Sequence, residues 1–323
     1  MNSFTNTLKE SSLFRKGLLK FDYPLKNLTC FKIGGNAEFF FTPSTEEELK
    51  TGLELFKKNN IPVSIIGGGS NLLVSDSGIK GAVIKLEKFD KIEIIKKTEN
   101  DVFIRAGAGV LTDYITKWAA ENGISGLEDF GGLPGTLGGA AFMNARCYEK
   151  SISDIFCSAK VLYFDNLCYI FDEYKSKQEE WDYKVSPFQK YAEGIKIISG
   201  RKLIVSLTFK LCYGKKEEIK NKTQQRIDDR TKKGHFLKPS AGSVFKNNRK
   251  FGKPSGKLIE EAGLKGISDG DAQIAPWHGN FIINNCEAKA ENVRKLIEKI
   301  QKIVFEKQGF LLEPEIFFAG FDE

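Results

Sequence analysis

Gly131-Gly132-Leu133-Pro134-Gly135-Thr136-Leu137-Gly138-Gly139-Ala140-Ala141-Phe142-Met143-Asn144 is the stretch on which the reading of this chain turns. Its five glycines are poor material for a regular strand or helix, where each costs about 0.5–1 kcal/mol relative to alanine. They suit backbone lying against something bulky with its N–H groups turned outward, and an anionic ligand such as a pyrophosphate is the usual reason. A sharp structural turn would explain the stretch alone equally well. A second cluster, Gly67-Gly68-Gly69-Ser70-Asn71, tilts the balance, because it directly follows a strand predicted over residues 61–66. Together with the short Gly107-Ala108-Gly109, these turns could clamp a ligand with an extended phosphate bridge.

Working outward, residues 38–42 read as a buried strand stopped by Pro43. Thr45-Glu46-Glu47-Glu48 is a capping box, and the helix after it sets Leu49, Leu53 and Phe56 on one face. With strands at 61–66 and 82–86, residues 25–90 form a small α/β lobe. Strands at 91–96 and 102–106, a helix from Thr112 closed by Asn122-Gly123, a hairpin over 155–171 turning at Asp165-Asn166 and a second over 195–211 turning at Ser199-Gly200 make a second lobe, 91–213. A charged helix over 215–233 opens a third, 214–323. It continues with a helix from Ser255, a strand over 280–284, a long helix over 290–307 and a strand over 311–318. Val293, Leu296, Ile297, Ile300 and Val304 make the apolar stripe of that long helix. Residues 1–24 carry no fold signal beyond a short helix, and the fold class is α+β.

The 323 residues suit two or three domains, and a hydrophobic fraction of 41% with 26 Phe can fill a sizeable core. Lys+Arg 49 against Asp+Glu 42 gives +7, spread along the chain, which fits an anionic small molecule as well as a nucleic acid and alone decides nothing; no nucleic-acid partner is expected. Six cysteines without a C-x-x-C pair, and only His235 and His278, exclude a zinc site or disulfide framework from the expectations; no metal is expected. No signal peptide or apolar run of transmembrane length occurs, so a cytoplasmic protein without membrane insertion is expected. Neither the dinucleotide fingerprint G-x-G-x-x-G, a P-loop nor G-x-S-x-G is present. Two polar features remain. Pro239-Ser240-Ala241-Gly242-Ser243-Val244-Phe245-Lys246-Asn247 is poor core material, and Glu313 and Glu315 lie two apart on a predicted strand, hence on one face. Edge solvation explains such carboxylates, and so does a catalytic acid with a raised pKa.

These motifs, in this order, resemble one family. Asn27-Leu28-Thr29-Cys30-Phe31-Lys32-Ile33-Gly34-Gly35, Gly67–Leu73, Gly132–Gly139, Met143-Asn144, Ser240–Asn247 and Leu312-Glu313-Pro314-Glu315-Ile316 look like those of UDP-N-acetylenolpyruvoylglucosamine reductase, the flavoprotein of bacterial cell-wall synthesis. Gly263–Gly266, Gly270–Gln273 and His278–Asn284 add to the match, which spans residues 27–318. The resemblance implies a two-lobe FAD-binding module of the vanillyl-alcohol oxidase type followed by an α/β substrate-binding domain. Its compactness resembles the shorter of the family's two structural classes.

The implied reaction has two halves: NADPH reduces non-covalently bound FAD, and hydride then passes to the methylene carbon of an enolpyruvyl UDP-sugar while a proton adds to the neighbouring carbon. By motif, Ser243 resembles the proton donor and Glu315 the catalytic acid, held protonated by burial. Gly67, Gly68, Gly69, Ser70, Asn71, Leu72, Gly132, Pro134, Gly135, Thr136, Gly138, Gly139 and Asn144 correspond to cofactor contacts, and Tyr183, Arg230, Lys246 and Asn247 to substrate contacts. Three departures stand out. Tyr183-Lys184-Val185-Ser186-Pro187-Phe188 has Lys184 where the family has a catalytic Arg, and Lys neutralises a carboxylate without gripping it bidentately. Either Lys184 suffices, or Arg230 or Arg201 compensates. Ala145-Arg146-Cys147-Tyr148-Glu149 sets a bulky cation in a turn that is small in the family, and Asn248 replaces a Pro. A monomer is expected. The alternatives are a flavin-dependent alcohol or hydroxy-acid oxidase of the same fold, or a catalytically impaired nucleotide-binding regulator.

Overall fold

The computed structural model describes residues 8, 11–165, 168–190, 192–193, 196–197 and 201–321. The chain divides into two compact units. One comprises Met1–Phe21, Phe39–Gly68 and Gly81–Asp228, the other Asp22–Glu38, Gly69–Lys80 and Asp229–Glu323.

A six-stranded sheet runs in the order Leu19–Pro24, Asn36–Phe41, Ile79–Lys85, Val63–Ile66, Lys196–Ile197 and Ala192–Glu193. Its parallel pairing sets Val63 beside Ala82 and Ile66 beside Lys85. The helix Glu46–Lys58 starts where the Thr45 hydroxyl accepts the Glu48 N–H at 3.1 Å, and buries Leu49, Gly52, Leu53 and Phe56. Gly52 is required there, since a Cβ would lie 2.3 Å from the Phe41 ring. Leu19–Pro24 was not expected, although Leu19, Phe21 and Tyr23 alternate with Lys20 and Asp22; Pro24, which has no N–H to donate, suits the edge position.

The second sheet of the first unit is antiparallel, in the order Cys168–Lys175, Phe156–Asp165, Leu203–Tyr213, Asp101–Gly107, Ile92–Lys97. Phe156–Asp165 and Cys168–Lys175 form the first expected hairpin, with Asp165 opposite Cys168; residue 166 of its expected turn lies outside the described residues. The second expected hairpin, over 195–211, does not form. Lys196–Ile197 joins the other sheet, whereas Leu203–Tyr213 pairs with Phe156–Asp165 on one edge and Asp101–Gly107 on the other. Both edges of that long apolar strand are occupied, which leaves none for a hairpin partner. Ser199 and Gly200 lie outside the described residues.

The second unit has a four-stranded antiparallel sheet, Ser240–Ser243, Phe281–Asn284, Ala272–Ile274 and Ser268–Asp269. The helices Ser255–Glu261 and Ala290–Gln308 share its core, and Val293, Leu296, Ile297, Ile300 and Val304 are buried as their spacing requires. The strand expected over 311–318 is only Phe317–Ala319, which pairs in parallel with Leu72–Val74. Upstream of it, Pro314 has no N–H and the chain makes an isolated bridge, Phe245 opposite Pro314. Among the described residues no helix is long and apolar enough to cross a membrane, and no group of three or more His, Cys, Asp or Glu could hold a metal ion.

Candidate functional site

In the first unit the two glycine clusters meet backbone to backbone. A Cβ on Gly68 would stand 2.4 Å from the Cα of Gly135 and 3.1 Å from the Thr136 nitrogen, and one on Gly67 would stand 2.8 Å from the Thr136 hydroxyl. The opening stretch is sewn to residues 107–113: Thr112 N–H donates to the Gly135 carbonyl at 3.0 Å, Leu137 to Val110 at 2.9 Å, Gly138 to Ala108 at 2.9 Å, and Gly132 to the Asp113 carboxylate at 2.9 Å. Among the described residues the amides of Gly68, Gly135 and Thr136 have no protein acceptor. A junction with no room for side chains and with unanswered N–H donors suits a pyrophosphate.

The stretch differs from expectation in one respect: Leu137–Phe142 is a short helix, capped by the Thr136 hydroxyl on Gly139 N–H at 3.4 Å. Gly138 is tolerated in it because a Cβ would meet the Ala108 Cβ at 2.9 Å, so close packing requires glycine there. Gly107 and Gly109 are packing glycines as well, with Cβ positions 2.0 Å from the carbonyl oxygens of Phe89 and Leu86 respectively.

Gly69, Ser70, Asn71 and Leu72 belong to the second unit. Gly69 has φ +64, and a Cβ would meet the Leu28 carbonyl oxygen at 2.1 Å. The Asn71 carboxamide donates to the Glu315 carbonyl at 2.9 Å, and Leu72 is a buried strand residue beside Phe317. These two therefore hold the Glu315 segment.

Asn144 caps the downstream edge of the glycine stretch. It is buried, has φ +40, donates to the Asp182 carbonyl at 2.8 Å and accepts from Ser153 N–H at 3.1 Å. It thereby anchors the turn Asp182–Val185, which is closed by mutual backbone bonds of 3.2 and 3.0 Å. Ser186 donates to the Phe142 carbonyl at 2.7 Å and Gln189 to the Lys184 carbonyl at 3.1 Å. The turn offers Tyr183, largely exposed, and Lys184, half-buried at φ +59. A lysine in the left-handed region costs about 1–2 kcal/mol. Arg201 is buried with its guanidinium 5.2 Å from the Phe142 ring centroid, and burial brings its pKa down to about 10, which leaves it cationic at neutral pH. Arg146 sits on a small hairpin, Arg146–Cys147 against Lys150–Ser151, and pairs with exposed Glu149 at 3.0 Å.

In the second unit, Ser243 ends its strand opposite Phe281, after a register shift and Gly242 at φ +71. Its hydroxyl has no hydrogen-bond partner among the described residues. The Glu315 segment is tied to the residues that follow Ser243: Glu315 N–H donates to the Val244 carbonyl at 2.7 Å and Lys246 N–H to the Glu313 carbonyl at 2.9 Å. Glu313 and Glu315 are thus not a matched pair. Glu313 is exposed and binds the Lys246 ammonium at 2.5 Å, and Glu315 is half-buried. Asn247 is exposed and accepts from Ser255 N–H at 2.9 Å at the start of the helix Ser255–Glu261. Arg230, buried, lies in the last turn of Lys216–Lys232. Lys184 belongs to the first unit, and Ser243, Glu315 and Arg230 to the second.

Sequence reading missed Asn280, which is buried and grips the Phe245 backbone. The available signal was an Asn directly before an apolar strand. His235 and His278 flank Phe281, at 4.8 and 4.2 Å between ring centroids. Burial, then Arg230, His278 and Lys233, push the His235 pKa down to about 4 against the pull of Asp229, and burial lowers that of His278, helped by Lys233 and Lys265. Unfolded imidazoles take up protons below about pH 6.5 while folded His235 stays neutral down to about pH 4, so stability is expected to fall from pH 6.5 towards 4, and His278 contributes in the same direction. Partial solvent contact keeps the slope under about 1.4 kcal/mol per pH unit per ring. Thermal melts across that range should be flatter for His235→Phe than for the parent, and identical slopes would refute the assignment.

Comparison with known proteins identifies the family. Residues 233–319 match a family model for the C-terminal domain of UDP-N-acetylenolpyruvoylglucosamine reductase, and residues 37–166 match an FAD binding domain. The UDP-N-acetylenolpyruvoylglucosamine reductase of Treponema denticola is 56% identical over 320 residues, covering 99% of both chains, and that of Treponema pallidum is 41% identical, covering 92% of both. The crystal structure of the reductase from Thermus caldophilus superposes with a TM-score of 0.74 at 31% identity, covering 93% of this chain and 98% of that one. With its FAD binding domain and its reductase-type C-terminal domain, the chain belongs to the UDP-N-acetylenolpyruvoylglucosamine reductase family of oxidoreductases.

Proposed function

We propose that this protein is an NADPH-dependent flavoprotein reductase that converts UDP-N-acetylglucosamine enolpyruvate to UDP-N-acetylmuramate, a step of peptidoglycan synthesis, acting in the cytoplasm as a monomer. The observation that carries the reading is the backbone ladder that ties the Glu315 segment to Val244, the residue next to Ser243, in a chain that also has the glycine cradle. FAD, bound non-covalently against Gly67–Ser70, Gly132, Pro134–Thr136 and Gly138–Gly139, would supply the hydride that originates on NADPH.

The side chains account for the rest. Hydride addition to the methylene carbon leaves negative charge spread into the substrate carboxylate, and the Lys184 cation lowers the barrier by meeting that charge. The Ser243 hydroxyl gives its proton to the neighbouring carbon and is reprotonated from solvent, so one hydride and one proton add across the double bond. Glu315 serves as the second catalytic residue. Tyr183, Arg230, Lys246 and Asn247 orient the sugar nucleotide. The two lobes that hold the cofactor are residues 25–90 and 91–213, and residues 214–323 take the substrate.

The test is NADPH oxidation with and without the enolpyruvyl sugar nucleotide. Substrate-dependent turnover is expected; consumption that ignores the sugar nucleotide would refute the reading. The strained backbone at Lys184 yields a second test. Lys184→Gly relieves the left-handed strain, with Gly's larger unfolded-state entropy offsetting part of the gain. The melting temperature is expected to stay level or rise slightly, while turnover falls about 100-fold for lack of the cation. A loss of stability without loss of turnover would reduce Lys184 to a turn residue. If Lys184→Arg does not raise turnover, another residue has taken over the grip on the carboxylate.

A further inference from the structure

We propose that Asn280 is a positioning residue for Ser243: it locks the backbone of Val244 and Phe245 and so fixes where the Ser243 hydroxyl points. The inference rests on the reading of Ser243 as the proton donor. Three hydrogen bonds from one residue carry it. The Asn280 side-chain oxygen accepts from Phe245 N–H at 2.9 Å, its amide nitrogen donates to the Phe245 carbonyl at 2.8 Å, and its own carbonyl accepts from Val244 N–H at 2.9 Å.

The need for such a clamp follows from the sheet. The ladder between Ser240–Ser243 and Phe281–Asn284 shifts register between Ser240 and Ser243, and its last pair is Ser243 with Phe281. Beyond that pair no strand residue is left on this side to satisfy the next backbone groups. A carboxamide carries one acceptor and one donor, the same pair as a peptide group, so Asn280 continues the ladder with its side chain. On the other side Glu315 N–H takes the Val244 carbonyl and the Glu313 carbonyl takes Lys246 N–H. Backbone groups from Val244 to Lys246 are therefore held alternately by Asn280 and by residues 313–315, and Ser243 sits at the entrance to the held segment. Asn280 is itself oriented, since its N–H donates to His278 Nδ1 at 3.2 Å, which places that imidazole's proton on Nε2. It is 3% exposed, so water does not replace what its side chain supplies.

Asn280→Asp keeps the acceptor and loses the donor, and Asn280→Leu loses both at similar volume. Four readouts apply: flavin reduction by NADPH, flavin reoxidation by the enolpyruvyl sugar nucleotide, melting temperature, and amide hydrogen exchange of the holoenzyme without substrate. Flavin reduction is expected to stay within about twofold, and reoxidation to slow about 10- to 100-fold, more for Leu than for Asp. Exchange at Val244 and Phe245 should accelerate while the helix Ala290–Gln308 keeps its protection. Asn280→Asp should add little to the defect of Ser243→Ala. Unchanged exchange at 244–245, equal slowing of both half-reactions, or multiplicative effects in the double variant would each overturn the proposal. A full Ser243→Ala defect with normal reoxidation in both Asn280 variants overturns this inference alone, whereas a silent Ser243→Ala overturns the proton-donor reading beneath it.

Discussion

Ser243→Ala is expected to leave flavin reduction by NADPH within about twofold of the parent rate and to slow reoxidation by the enolpyruvyl sugar nucleotide about 100- to 10,000-fold. The asymmetry follows from where a proton is needed. Hydride passage from NADPH to the cofactor calls on no proton from residue 243, whereas hydride addition to the enolpyruvyl group builds carbanion charge that must be quenched at the neighbouring carbon. The structure also makes this substitution a clean one. Among the described residues the Ser243 hydroxyl has no hydrogen-bond partner, so its removal breaks no internal bond, and the backbone ladder at Val244 does not involve the side chain. Stability should move by less than about 0.5 kcal/mol. Anaerobic stopped-flow absorbance separates the two halves, and the slow half should show a changed solvent deuterium isotope effect as a substitute donor takes over. Equal losses in both halves would mean that residue 243 supports the flavin rather than delivering a proton.

Legibility in the sequence followed the locality of the physics. The helix Glu46–Lys58 was readable because Thr45 and Glu48 settle its start within four residues, and Ala290–Gln308 because its stripe repeats over many turns. Residues 195–211 were misread because which strand pairs with Leu203–Tyr213 is decided by Phe156–Asp165 and Asp101–Gly107, far away in the chain. Residues 311–318 were misread because alternation suggested a strand, while Pro314 and the turn towards Leu72–Val74 left three strand residues. At the site, the motif residues were found but not their division of labour. Asn71 and Asn144 look like ligand contacts in a glycine-rich setting, yet both use their carboxamides on backbone groups near Glu315 and Lys184 respectively. Asn280 offered only the weak signal of an Asn directly before an apolar strand, since a side chain that completes a ladder has no periodicity.

Gly68→Ala is expected to yield folded protein that purifies without yellow colour and binds added FAD at least about 100-fold more weakly. A methyl group there would sit 2.4 Å from the Cα of Gly135, 2.9 Å from its carbonyl carbon and 3.1 Å from the Thr136 nitrogen. All three are backbone atoms, so no side chain can swing away, and the two glycine segments must separate by roughly 1 Å. That separation moves the N–H groups of Gly68, Gly135 and Thr136 away from a common anion, and a charge-assisted hydrogen bond weakens steeply with such displacement. The same overpacking costs about 1–3 kcal/mol of stability, a drop of a few degrees in melting temperature for a chain of this size, so apoprotein should survive to be titrated. Gly139→Ala is the matched control. Its Cβ would meet only the Thr136 hydroxyl, at 3.6 Å, and it lies in the helix Leu137–Phe142, where alanine is favoured by about 1 kcal/mol. If Gly139 merely turns the chain into the helix, this variant keeps its flavin and melts slightly higher. If the pyrophosphate approaches the Gly139 backbone closely, it loses flavin without the stability loss of Gly68→Ala. Fluorescence titration of both apoproteins with FAD and with ADP, which shares the diphosphate but lacks the isoalloxazine ring, completes the test. Parallel losses for FAD and ADP in Gly68→Ala locate the damage at the diphosphate, and undiminished binding of both would show that the junction of the glycine clusters is a packing device and the anion lies elsewhere.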